Sequence, residues 1–129
     1  MKYSMLFGAI LMLTASCAST AKFPVSTVVP AAEITATKKV DKNSNYVITL
    51  KAKNLANPER LSPPRNTYNV WFVSSSNETR NVGQLDSRNA KSASLEVVSP
   101  FDVTVVFITA ENEGDLTYPM GPEISRTTF

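Results

Sequence analysis

The sequence predicts an all-β protein, an immunoglobulin-like antiparallel β-sandwich of about seven strands. Three observations predict it. Apolar residues alternate with polar ones at a period of two, as half-buried strands require. Prolines 58, 63, 64, 100, 119 and 122 fall between the alternating runs, where a missing backbone donor breaks no ladder. No stretch of ten or more residues carries a convincing period near 3.6.

The strands follow in order. Glu33 to Lys38 is the first. In Tyr46 to Lys53, residues Tyr46, Ile48, Leu50 and Ala52 share one face, while Val47, Thr49, Lys51 and Lys53 share the other. A helix would scatter those lysines around its circumference. Thr67 to Ser74, Thr79 to Asp86, Ala93 to Ser99, Phe101 to Ala110 and Glu123 to Phe129 complete the set, each rich in β-branched or aromatic residues. Asp41 to Asn45 and Ser74 to Asn77 are polar turns. Asn57 to Asn66 is the longest loop. The expected core is Ile34, Tyr46, Ile48, Leu50, Leu55, Tyr68, Val70, Phe72, Val82, Leu85, Leu95, Val97, Phe101, Val103, Val105 and Phe107. Trp71 faces away from Val70 and Phe72. Either both faces of its strand are covered or the indole is partly exposed, and burial under a loop or an Arg stem is the preferred reading because large aromatics are usually buried.

The chain of 129 residues has no His, one Cys and a formal net charge of +2. Without His there is no Ser-His-Asp triad, His-liganded zinc site or imidazole proton shuttle. One Cys excludes thiolate clusters, and the weak charge argues against nucleic acid as a partner. The sequence therefore points away from an enzyme, with no catalytic or metal-ligating set and no cofactor.

The lone cysteine has a telling address. Lys2 precedes an apolar run from Met5 to Leu13, and Thr14-Ala15-Ser16 then leads to Cys17. The run is well short of the ~20 residues needed to span a bilayer and has the three regions of a secretory signal. Small residues directly before a Cys make the segment resemble a bacterial lipoprotein signal, with Thr14 where that pattern usually has Leu. The resemblance implies cleavage before Cys17 and acylation of its sulfur and new amino group. It places the mature chain on a membrane without a transmembrane helix. The alternative is an ordinary signal cut near Ala18 or Ala21. Ala18, where an Asp would favour the inner membrane, implies the outer membrane of the cell envelope by the same resemblance. Residues 1–16 are then a signal peptide, 17–30 a lipid-anchored tether with a reach of at most roughly 40 Å, and 31–129 the sandwich.

Three segments within 31–129 share an order with a known domain. Thr67-Tyr68-Asn69-Val70-Trp71-Phe72-Val73 is followed by Asn81-Val82-Gly83-Gln84-Leu85. Val103 to Ile108 then leads to Thr109-Ala110-Glu111 and Pro119-Met120-Gly121-Pro122. This resembles the extracytoplasmic domain of anti-sigma-K factors, which implies a small β-sandwich and supplies no catalytic residues. The cytoplasmic sigma-binding domain and transmembrane helix of such factors have no counterpart ahead of the sandwich here, and Asn112-Glu113-Gly114-Asp115 replaces the family's usual Gly pair.

Glu111, Glu113 and Asp115 gather oxygen ligands in one loop. Calcium takes such ligands, but the spacing matches no EF-hand and a solvated acidic turn is the preferred reading. The same carboxylates are too isolated to argue for glycosidase chemistry. Lys38, Lys39 and Lys42 lie near the tether, and a solvated strand face is the preferred reading over a weak attraction to anionic headgroups. Asn77-Glu78-Thr79 fits a glycosylation acceptor that a bacterium usually leaves unused. The expectation is a lipid-anchored, non-catalytic binding or scaffolding module with an envelope protein as partner. The alternative is a glycan or small-ligand sensor using Trp71 and the acidic turn, or a component of envelope signalling.

Overall fold

The computed structural model describes residues 18–89 and 91–129. The signal peptide reading of residues 1–16 and the lipidation of Cys17 lie outside the described residues. Among the described residues eight strands form two antiparallel sheets: β1 (Ser19–Lys22), β2 (Glu33–Val40), β3 (Tyr46–Lys53), β4 (Thr67–Ser74), β5 (Thr79–Leu85), β6 (Ala93–Ser99), β7 (Val103–Glu111) and β8 (Glu123–Thr128). One sheet runs β1-β2-β3-β6 and the other β5-β4-β7-β8. This is the all-β sandwich expected, with one additional strand at its start.

The turn chemistry explains the hairpins. The Asp41 carboxylate accepts the backbone N–H groups of Asn43 and Asn45 at 2.8 and 2.9 Å, which closes β2 onto β3. Between β4 and β5 the Ser74 hydroxyl accepts the N–H of Glu78 at 3.2 Å, and Asn77 takes a φ of 64°. The long loop contains a single 3-10 turn, Pro58–Arg60, whose start is capped by the Asn57 side chain accepting from Glu59 N. Among the described residues, no helix is long and apolar enough to cross a membrane.

The core is packed between the sheets by Ile34, Ile48, Leu50, Tyr68, Val70, Phe72, Leu85, Val106, Ile108 and Ile124, with Leu55 sealing one end. Tyr46, Val82, Leu95 and Val97 pack against it only in part. Two expectations for β7 are corrected. Phe101 precedes the strand and is exposed, Val105 is only half-buried, and Phe107 is buried but on the outer face of the sheet, apart from the main cluster. The cause is an irregularity opposite β4. Val73 pairs with Val105 but Ser74 pairs with Val103, so Thr104 is an extra residue. An extra residue reverses the alternation of faces. Beyond it, Val106, Ile108 and Ala110 point inward and Val105 and Phe107 outward.

The segment expected to be an extended tether is folded onto the sandwich. Ser19–Lys22 pairs with β2, Ser19 opposite Lys38 and Lys22 opposite Thr35. Phe23 and Val29 join the core, and the Ser26 hydroxyl accepts the N–H groups of Val28 and Val29 at 3.1 and 3.0 Å. The Ser125 hydroxyl donates to Pro24 O at 2.8 Å, closing the side of the sandwich between β1 and β8. Burial of Phe23 and Val29 gives this stretch what a solvated linker lacks, apolar area to offset its ordering entropy.

Candidate functional site

Three places on the molecule bear on function: the outer face of the β4 sheet, a polar depression beside it, and an apolar groove between the free edges of β5 and β6.

On the outer face, Asn69 and Trp71 of β4 stand beside Phe107, Thr109 and Glu111 of β7, and all five are buried. They are covered because residues 112–122 fold back across the sheet instead of projecting into solvent. Side-chain amides hold that return loop by its carbonyls. Asn69 Nδ2 donates to Glu113 O at 2.9 Å, Asn81 Nδ2 to Gly114 O and Leu116 O at 2.8 and 3.0 Å, and Gln84 Nε2 to Gly114 O at 2.7 Å. Trp71 stacks on Phe107 with ring centroids 6.1 Å apart, and the Arg126 guanidinium lies 4.4 Å from the Phe107 centroid. Trp71 is therefore packed under a loop, as preferred above. Its proposed role as an open ligand platform is corrected: with no exposed surface, the indole has no face to offer a sugar.

A polar relay runs through this layer. Trp71 Nε1 donates to Thr109 Oγ1 at 2.8 Å, Thr109 Oγ1 donates to Glu111 Oε2 at 2.6 Å, and the Met120 N–H donates to the same carboxylate oxygen at 3.1 Å. Glu111 is thus a buried anchor for the Pro119 to Pro122 turn. Gly121 fits against it so closely that a Cβ would lie 1.8 Å from Ala110 O. Of the residues quoted for the sequence resemblance, Asn69, Trp71, Glu111 and the Pro119 to Pro122 turn meet here in a packing role, while Tyr68, Val70 and Phe72 face the core.

The three carboxylates grouped by sequence are separated by this arrangement. Glu111 and Glu113 line a cavity of about 290 Å³ with Arg65, Leu116 and Met120. Asp115 lines a different, wider depression of about 850 Å³, with Arg80, Asn81, Gln84 and Thr117. Among the described residues no three carboxylate, His or Cys groups stand close enough to hold a metal ion. The end of the strand explains the separation: Glu111 closes β7 with its side chain under the loop, while Glu113 and Asp115 lie beyond the strand and are exposed on the loop itself. The depression is polar, yet the amide donors of Asn81 and Gln84 are engaged by the loop carbonyls, which leaves less for a sugar to meet.

The Asn57 to Asn66 loop is well tied. Its Ala56 O neighbour accepts the Tyr68 hydroxyl, and Arg65 N donates to Pro58 O at 2.9 Å. Beside it, Arg88 hydrogen-bonds Asp86 and holds that carboxyl down to about 2. Both side chains are solvated, so this pair shapes the surface without contributing much stability.

The groove is of another character. β5 and β6 are edge strands of opposite sheets, and between them lies a cavity of about 220 Å³ lined mainly by Phe72, Val82, Val97, Val98, Phe101 and Val103. Farther along the same two strands Gly83 of β5, with a φ of 138°, faces the Leu95 side chain of β6, which a Cβ there would meet at 3.5 Å. Sequence reasoning placed Val82, Val97 and Phe101 in the core and passed over Val98. The signal was present: Ser94, Glu96 and Val98 form the solvent face of β6, and Val98, 55% exposed, is apolar among them.

The fold and these surfaces define a two-sheet antiparallel β-sandwich in which β4 and β7 are covered on both faces and one apolar side stays open. No family model, curated protein or solved structure matches the chain.

Proposed function

We propose that the protein is a non-catalytic binding module of the bacterial cell envelope, held on the outer membrane by acyl chains on Cys17, that engages an extended segment of an envelope protein. The observation carrying the binding reading is the groove between β5 and β6. Among the described residues each flanking strand pairs with a neighbour on one side only, so its outer edge can accept an added strand. Alternate side chains of that strand would meet Phe72, Val97 and Phe101. Backbone pairing supplies affinity and the apolar floor supplies selection. The likeness of the β4, β5 and β7 segments to an anti-sigma-K extracytoplasmic domain supports a place in envelope signalling, in which this side of the sandwich receives a partner's segment.

A photo-crosslinking residue at Val98, in the full chain expressed in its host, tests the reading. It should yield a discrete adduct with an envelope protein, whereas the same residue at Lys51, on the outer face of β3, should yield none. No adduct at Val98, or equal adducts at both positions, would reject the groove as the binding site. Mass spectrometry of the mature N-terminus tests the anchor: an unmodified start beyond Cys17 would reject it.

A further inference from the structure

The start of β1 fixes where an anchor would sit. Cys17 is two residues before Ser19 in the sequence, so an acyl anchor on it would join the chain next to the start of β1. Ser19 pairs with Lys38, which puts this start at the end of the sandwich that carries the β2–β3 turn. Tyr46 pairs with Ser99, so the Ser99 to Asp102 turn lies at the same end, and Lys38 Nζ reaches Asp102 Oδ1 at 2.8 Å.

That end has a distinctive surface. Val40 and Phe101 are 51% and 56% exposed at its tips. Lys38 is paired with Asp102, Arg80 with Glu78 at 3.2 Å, and the Asp41 carboxylate is occupied by turn N–H groups. Lys39 and Lys42 are exposed and have no carboxylate within 4 Å among the described residues. Two apolar tips beside two unpaired lysines match the layered chemistry of a bilayer surface, acyl chains beneath anionic phosphates.

We propose that this end is a membrane-resting face, with Val40 and Phe101 among the lipid headgroups and Lys39 and Lys42 on the phosphates of anionic lipids. The proposal rests on the lipid-anchor reading and extends it, since a folded 18–30 segment leaves the sandwich no length on which to stand off. The β5–β6 groove, whose lip includes Phe101, then opens beside the membrane.

The test uses the full chain, processed by its host and reconstituted in phosphatidylethanolamine vesicles with or without phosphatidylglycerol. In the acylated protein the Cys17 sulfur is a thioether, so Asn43→Cys or Asn112→Cys supplies the one thiol for a nitroxide. Residue 43 is in the β2–β3 turn and residue 112 follows β7 at the opposite end. The label at 43 should lose access to an aqueous nickel chelate several-fold on reconstitution, more with phosphatidylglycerol, while the label at 112 stays accessible. Lys39→Glu with Lys42→Glu should remove the phosphatidylglycerol dependence. Acylated protein with equal access at both labels overturns the orientation and leaves the anchor standing. Absence of the acyl mass on the N-terminal peptide overturns the anchor and the orientation with it.

Discussion

Trp71 Nε1 donates to Thr109 Oγ1 at 2.8 Å in a layer where both residues are buried. The same hydroxyl passes its proton toward Glu111, so one oxygen satisfies two groups that have lost water. Thr109→Val keeps the shape and removes both bonds. The expected loss is about 1–3 kcal/mol, the range for leaving buried polar groups unpaired. Thr109→Ser should restore most of it. Trp71 is the only tryptophan in the chain, so its fluorescence during denaturant unfolding reports both variants directly.

Gly121→Ala should be far more damaging than Gly114→Ala. At 121 the new methyl would meet the Ala110 carbonyl, a β7 backbone group that cannot yield without breaking the ladder. At 114 it would meet the end of the flexible Gln84 side chain at 2.8 Å. The first should cost about 3 kcal/mol or more and the second about 1 kcal/mol. Thermal unfolding of the two variants side by side measures the difference, and equal melting temperatures would refute the close approach.

The strand positions were legible in the sequence wherever period two was uninterrupted. β3, β4 and β6 match the expected ranges residue for residue: polar and apolar residues alternate through most of β3 and β6, and β4, continuously apolar from Val70 to Val73, is bounded by polar turn residues. Alternation was misleading in β7, where Val103, Thr104, Val105, Val106 and Phe107 are nearly all apolar and give no sign of the extra residue at Thr104. The 18–30 segment was misread for a related reason. Its small residues and prolines look like a linker, and only the tertiary pairing of Ser19–Lys22 with β2 shows otherwise. The candidate site was less legible still. Burial of Trp71 followed from its size, but the groove exists because β5 and β6 are edges, and strand order is not written in local composition.

The reversed alternation in β7 gives a sharp pair of substitutions. Val105→Thr places a hydroxyl on the outward, partly exposed side, whereas Val106→Thr buries one in the core. Val105→Thr should change stability by about 0.5 kcal/mol or less, as surface changes usually do. Val106→Thr should cost about 1–3 kcal/mol for an unpaired buried hydroxyl. Had the strand alternated regularly from Val103, the two costs would be exchanged, so chemical denaturation of the pair decides the register.

Burial pushes the Tyr68 phenol up to about 12 from its ordinary 10.0, and its hydroxyl donates to Ala56 O. The neutral form is therefore the one the fold accommodates. Below about pH 10 both folded and unfolded chains keep the proton, and this group leaves stability unchanged. Between about 10 and about 12 only the unfolded chain releases it, so stability should fall across that window and level off above it. Tyr68→Phe isolates the phenol's share of that fall. The variant should lose about 1 kcal/mol at neutral pH through the Ala56 carbonyl left without its donor. Its stability should then decline less steeply than the parent's above pH 10, because the phenol's contribution to the slope is gone. Parallel stability curves for the two proteins from neutral to strongly alkaline pH would show that Tyr68 ionises as freely in the fold as in the unfolded chain.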